Sequence, residues 1–121
     1  MKLREVVHHI NAEVLNGEEL LDEIQVEHAY GADLMSDVLA FASPGALLIT
    51  GLTNIQIVRT AQMLDLPAII FVRGKKPQDA AVKLAAQAGL PLLLCQMSMF
   101  ESCGILFREG VLPCHIPERG E

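Results

Sequence analysis

The sequence predicts an α/β protein of three layers, α/β/α, around a mostly parallel sheet of about five strands, and three apolar runs carry that expectation. They are Gly45-Ala-Leu-Leu-Ile-Thr-Gly51, Pro67-Ala-Ile-Ile-Phe-Val72 and Pro91-Leu-Leu-Leu-Cys-Gln96. Each is short, bounded by Gly or Pro, and free of polar alternation, as strands buried on both faces of a parallel sheet are. Amphipathic stretches separate them. Thr60 to Phe71 also aligns with Leu84 to Cys95 at a spacing of 24 residues, with Leu-Pro before the strand in both copies. That spacing suits consecutive βα units, and proline at a strand's first residue costs little while stopping the preceding helix.

In chain order, Leu3, Val6, Val7 and Ile10 fall at helical intervals and predict a short first helix. His8 and His9 are adjacent on it, about 100° apart, and so cannot chelate one ion; one is expected outward and the other against the core edge. Glu13 to Leu15 reads as a strand, its direction open, and Asn16-Gly17 as a turn. Glu23 to Tyr30 alternates polar and apolar residues and is read as a half-exposed strand, again of open direction. Gly31-Ala-Asp33 follows as a loop, and Ser36 is expected to cap a helix reaching Ala42.

Between the buried strands, Asn54 to Leu64 puts Ile55, Val58, Ala61, Met63 and Leu64 on one stripe, with Gln56, Arg59 and Gln62 outward. Gln78 to Ala88 does the same with Ala81, Val82, Leu84, Ala85 and Ala88, and Gly89 stands where a left-handed cap is wanted. Ser98 followed by Glu101 is the pattern of a capping box opening a helix over Met99 to Phe107, although Gly104 weakens it. Val111 to Cys114 is expected at a sheet edge, and residues 114–121 as a frayed tail.

One domain over residues 1–121 is the natural count, since no linker-like stretch interrupts the chain. The apolar content, with a mean hydropathy of +0.36, exceeds what so small a domain needs to bury, so a homodimer is expected. No run is long enough to span a membrane and the first residues do not resemble a signal peptide, so a cytoplasmic location is expected. Cys95, Cys103 and Cys114 are odd in number and lack CxxC spacing, which speaks against a disulfide framework or zinc; Cys95, ending a buried strand, is expected in the core. No cofactor or metal site is predicted. The net charge of −6 speaks against nucleic acid. Residues 1–40 hold nine acids and two bases, so the acidity is concentrated there and suits a solvated or protein-facing surface.

In open α/β sheets, ligands bind beyond the carboxyl ends of the strands. Three such ends are named by the sequence: the loop with Gly51, Thr53 and Asn54; the turn Arg73, Gly74, Lys75, Lys76, Pro77; and Gln96 to Ser98. Gly51 permits an unusual turn, Thr53 or Asn54 can cap a helix, and the cations Arg73, Lys75 and Lys76 beside helix N-termini form a seat for an anion such as phosphate. Caps and solvated turns, with Pro77 at a first helical position, account for the same residues without a ligand. Gly74-Lys75 is not a Walker motif, because Ile69 replaces the leading glycine and Lys76 the Ser or Thr. The sequence contains no nucleophile elbow, HExxH motif or dinucleotide turn.

Taken together, Pro44 to Thr50, Asn54 to Thr60, Phe71 to Pro77, and Ala88 to Leu93 continuing into Met99-Phe100 resemble the DRTGG domain family, related in fold to the N-terminal domain of HPr kinase/phosphorylase. The resemblance spans Leu3 to Leu112. Where the name-giving Asp-Arg would fall the chain has Thr53-Asn54, and Val72-Arg73-Gly74 replaces Thr-Gly-Gly, keeping only Gly74. The resemblance implies a non-catalytic regulatory module, often dimeric, that responds to a small anionic ligand such as an adenine nucleotide or to a protein partner. The alternatives are an enzyme acting on a phosphorylated or acyl metabolite through Ser36, Cys95 or His28, and a purely structural interaction domain.

Overall fold

The computed structural model describes residues 1–117. The elements run α1 (Leu3–His9), β1 (Glu13–Asn16), β2 (His28–Gly31), α2 (Met35–Phe41), β3 (Leu47–Thr50), α3 (Ile55–Met63), β4 (Ile69–Phe71), α4 (Asp79–Ala88), β5 (Leu92–Leu94), α5 (Met99–Arg108) and β6 (Leu112–Pro113). The sheet has six strands in the order β1-β5-β4-β3-β2-β6, one more than expected. β2 to β6 are mutually parallel, and β1 alone runs antiparallel, against β5.

The three apolar runs become β3, β4 and β5, and their alternate side chains feed two cores. Leu48, Ile69, Phe71, Leu92 and Leu94 meet α2, α3 and α4 on one face. Leu47, Ile49, Ile70, Leu93 and Cys95 meet α1 and α5 on the other. Continuous apolarity was the correct signal of burial on both faces. The chain winds from β2 to β5 with its helices on the first face. It then returns over the second face through α5 to place β6 at the far edge.

Local chemistry sets the ends of the helices. Asn54 accepts the Ile57 N–H at 3.3 Å, Ser98 accepts the Glu101 N–H at 3.1 Å, and Gly89 closes α4 at φ 68°. α4 begins at Asp79, two residues later than Pro77 at a first helical position suggests, because Gln78 is its N-cap. α2 begins at Met35 after Leu34, so Ser36 lies within its first turn and does not cap it. On α3, Thr60 is buried and Met63 is 67% exposed, and on α4 Ala88 faces solvent; both corrections come at helix ends or where the stripe drifts off the core.

The largest departure is Glu23 to Tyr30. Only His28–Gly31 forms a strand, while Glu18–Leu20 is a 3-10 turn. The backbone before β2 bonds to the start of the chain: Leu3 N–H to Ile24 C=O, Arg4 N–H to Leu21 C=O, and Val26 N–H to Met1 C=O. Leu21 and Val26 are buried beneath α1, so the alternation there records packing against a helix. His8 is exposed and His9 half-buried, as expected. Cys114 is not frayed: it is buried, and its Sγ accepts a hydrogen bond from Ser43 Oγ at 3.3 Å. Residues 115–117 are exposed, and the rest of the predicted tail, 118–121, lies outside the described residues.

Candidate ligand rim at the strand carboxyl ends

Because β2, β3, β4 and β5 are parallel, the segments that follow them share one rim. The chain leaves β4 for α4 on one face and β5 for α5 on the other, so the switch point lies between the Val72–Lys75 turn and Gln96–Ser98. At that point Arg73 and Gly74 both adopt left-handed backbone, at φ 58° and 65°, and Lys75 N–H bonds to Val72 C=O at 3.1 Å. This is the pattern of a type I′ turn. Arginine in such a conformation costs about 1 kcal/mol, which surrounding bonds must offset. Arg73 N–H donates to Met97 C=O at 2.8 Å and Gly74 N–H to Cys95 C=O at 2.9 Å, clamping the turn to the end of β5.

The turn aims the Arg73 side chain back across the rim toward β3. Its Nη1 donates to Asp33 Oδ2 at 3.2 Å, while Asp33 Oδ1 accepts the Gly51 N–H at 2.6 Å. Two glycines make this closeness possible. A Cβ on Gly51 would strike the Arg73 guanidinium, and one on Gly74 would strike the Gln96 side-chain amide. The Arg73–Asp33 pair is about half exposed, at 43% and 48%, so the bond is the weak kind that solvent screens. Among the described residues Arg73 is thus presented at the surface with one side-chain oxygen partner, and its remaining donors are free.

The structure brings Gly51, Arg73, Gly74 and Gln96 together. Ser98 and Asn54 sit at the same rim, and each caps its own helix. Thr53 serves as a brace, its carbonyl accepting the Gln78 N–H at 2.9 Å. Lys75 is exposed on the turn, whereas Lys76 turns aside toward Asp79 and Lys83 in a shallow depression beside β1. Sequence reasoning placed the Asp33 loop at the rim only with Ser36, Cys95 and His28 in the enzymatic alternative, and missed Asp33 as the partner of Arg73 and Gly51. The signal available was its place directly after β2, at the carboxyl end of a strand.

Ser36, Cys95 and His28 do not converge. α2, which carries Ser36, packs on the first face, Cys95 is fully buried on the second, and His28 begins β2 at the opposite end of the sheet from the rim. Burial raises the Cys95 thiol above its ordinary range, as it does Cys103, so neither is an activated thiolate. Among the described residues no group of His, Cys, Asp and Glu could hold a metal ion, and no helix is long and apolar enough to cross a membrane.

A family model described as the DRTGG domain matches residues 5–108. No curated protein matches the chain significantly. Among solved structures, a similar one is the crystal structure of the CBS and DRTGG domains of the regulatory region of Clostridium perfringens pyrophosphatase, complexed with its activator diadenosine tetraphosphate. The TM-score is 0.70 at 19% identity, over 93% of this chain and 47% of that one. The present chain therefore spans about half the length of that regulatory-region chain, and at this identity the likeness is one of fold.

Proposed function

The chain belongs to the DRTGG domain family, and on that premise we propose that it is a non-catalytic regulatory module, a homodimer, that senses a small anionic, nucleotide-like ligand at the rim made by Gly51 to Asn54, Arg73 to Lys75, and Gln96 to Ser98. The observation that carries the reading is Arg73. Its guanidinium stands half-exposed at the switch point of a parallel sheet, on a left-handed backbone that the end of β5 holds in place. A phosphate oxygen suits that fork bidentately, Lys75 adds charge, and Gly74 lets a ligand approach the backbone. The N-terminus of α3 adds a favourable dipole above β3. The family supports a regulatory role, and the similar fold in a regulatory region that binds diadenosine tetraphosphate supports an adenine nucleotide as the class to test first. The separation of Ser36, Cys95 and His28 weighs against the enzymatic alternative.

Thermal unfolding against adenine and guanine nucleotides, dinucleotides, nicotinamide cofactors and acyl phosphates tests the proposal. A ligand at a hundred times its dissociation constant adds about 2.7 kcal/mol, several degrees for a domain of this size. The expected result is such a shift for an adenine nucleotide, lost in the Arg73→Ala/Lys75→Ala double variant. No shift for any compound would overturn the ligand, and an undiminished shift in the double variant would overturn the rim.

A further inference from the structure

α5 spends one face on the core and leaves the other open. Ser102 and Leu106 are buried, while Phe100 is 89% and Phe107 65% exposed. Phe100, Gly104 and Phe107 lie on one stripe at i, i+4 and i+7. Gly104 stands at its centre, and a Cβ there would meet nothing within 4 Å. Beside the stripe runs a groove of about 470 Å³, lined by Tyr30, Cys103, Leu112, Pro113 and Ile116. It exists because β6 pairs with only His28 and Ala29, leaving the end of β2 uncovered at the sheet edge. Phe100, Phe107, Leu112 and Ile116 together expose roughly 500 Å² if a phenylalanine carries about 200 Å². That lies in the upper part of the ~300–600 Å² range of a monomer's largest apolar patch, which is often functional, and is more than half of the ~800 Å² each partner contributes to a standard interface.

We propose that this face binds a second copy of the same chain, with the two α5 helices antiparallel across a two-fold axis near Gly104. Charge and shape name the occupant. Glu101 and Arg108 are both exposed, lie on the same flank of the stripe, and sit three residues before and four after Gly104. A two-fold axis perpendicular to the helix keeps each flank on its own side and reverses its direction. Glu101 therefore meets Arg108 of the second copy, and Arg108 meets its Glu101. The same operation sets Phe100 against Phe107 of the other copy, and Gly104 lets the helices approach closely between them. Arg108 Nε now leans on its neighbour Glu109 at 3.2 Å, an exposed contact that is readily exchanged. Antiparallel helix dipoles also favour the arrangement. The inference rests on the homodimer reading above and adds the surface that makes it.

Sedimentation of the purified chain at micromolar concentration provides the test. The wild type should sediment as a dimer. Glu101→Arg and Arg108→Glu should each weaken it by about tenfold or more, because symmetry places every reversal twice and brings like charges together. The double variant Glu101→Arg/Arg108→Glu should restore the dimer, which a merely structural effect of either change would not do. Gly104→Leu should dissociate it while leaving the circular dichroism and thermal transition of a folded chain. A monomeric wild type would overturn the homodimer and this surface together. A dimer indifferent to both reversals and to Gly104→Leu would overturn the surface alone.

Discussion

At the rim Arg73 bonds to Asp33 and Gln96 stands against Gly74, whereas along α5 Phe100, Phe107 and Leu112 lie open to solvent. The rim is polar and already latched: the Asp33 carboxylate accepts the Gly51 N–H and an Arg73 N–H, donors that an incoming anion would use. A ligand there displaces an internal partner, so its net affinity is a difference between two similar interactions. Among the described residues the α5 edge has no such competitor. Association at that edge gains from burying apolar surface that folding left exposed. The contrast separates the two expected activities: recognition where polar groups exchange partners, assembly where apolar groups lack them.

The largest effect that breaks the contrast is expected at Gly74. Gly74→Val puts a β-branched side chain at φ 65° against Gln96, and it should cost about 2–3 kcal/mol in the urea midpoint and abolish rim binding while leaving α5 untouched. Gly104→Ala should do the reverse at the other region. Its Cβ enters open space on an exposed helix, so the monomer should gain up to about 1 kcal/mol, read from the same titration. Asp33→Asn sharpens the account of the latch. The amide oxygen can still accept the Gly51 N–H, so stability should change by less than about 1 kcal/mol, yet calorimetry should show several-fold tighter binding of an adenine nucleotide. Unchanged or weaker binding would show that Asp33 is not a competitor.

The smallest effect is in the thiols. Burial raises the Cys95 and Cys103 thiols in the folded chain, so both stay protonated while the unfolded thiols ionise at about 8.5. Their contribution is fully present below that pH and is lost as pH rises toward the raised folded values. Stability should therefore decline in alkaline buffer, and the decline should flatten in Cys95→Ala. Alkylation of native Cys95 near neutral pH should be slow, and rapid labelling would contradict a buried, protonated thiol.

Much of the fold could be read from sequence because β3, β4 and β5 are continuous apolar runs and their helices carry local caps at Asn54, Ser98 and Gly89. The segment before β2 could not, since its backbone partners are Met1, Leu3 and Arg4, about twenty residues earlier. The place of β6 at a sheet edge could be read from Val111 to Cys114, but its pairing with β2 could not, since it depends on α5 carrying the chain back across the sheet. At the rim, loop residues followed from their places after strands. The Asp33–Arg73 bond did not, because it spans 40 residues and depends on Arg73 taking a left-handed backbone that sequence favours only for glycine.

Amide chemical shifts in a two-dimensional NMR titration with ATP test the central claim most directly, because they report both regions in one experiment. The account predicts that perturbations cluster at Gly51, Arg73, Gly74 and Gln96 and leave Phe100 to Phe107 unmoved, while dilution of the protein moves the second set and spares the first. Perturbations centred on α5, or none at saturating nucleotide, would contradict it.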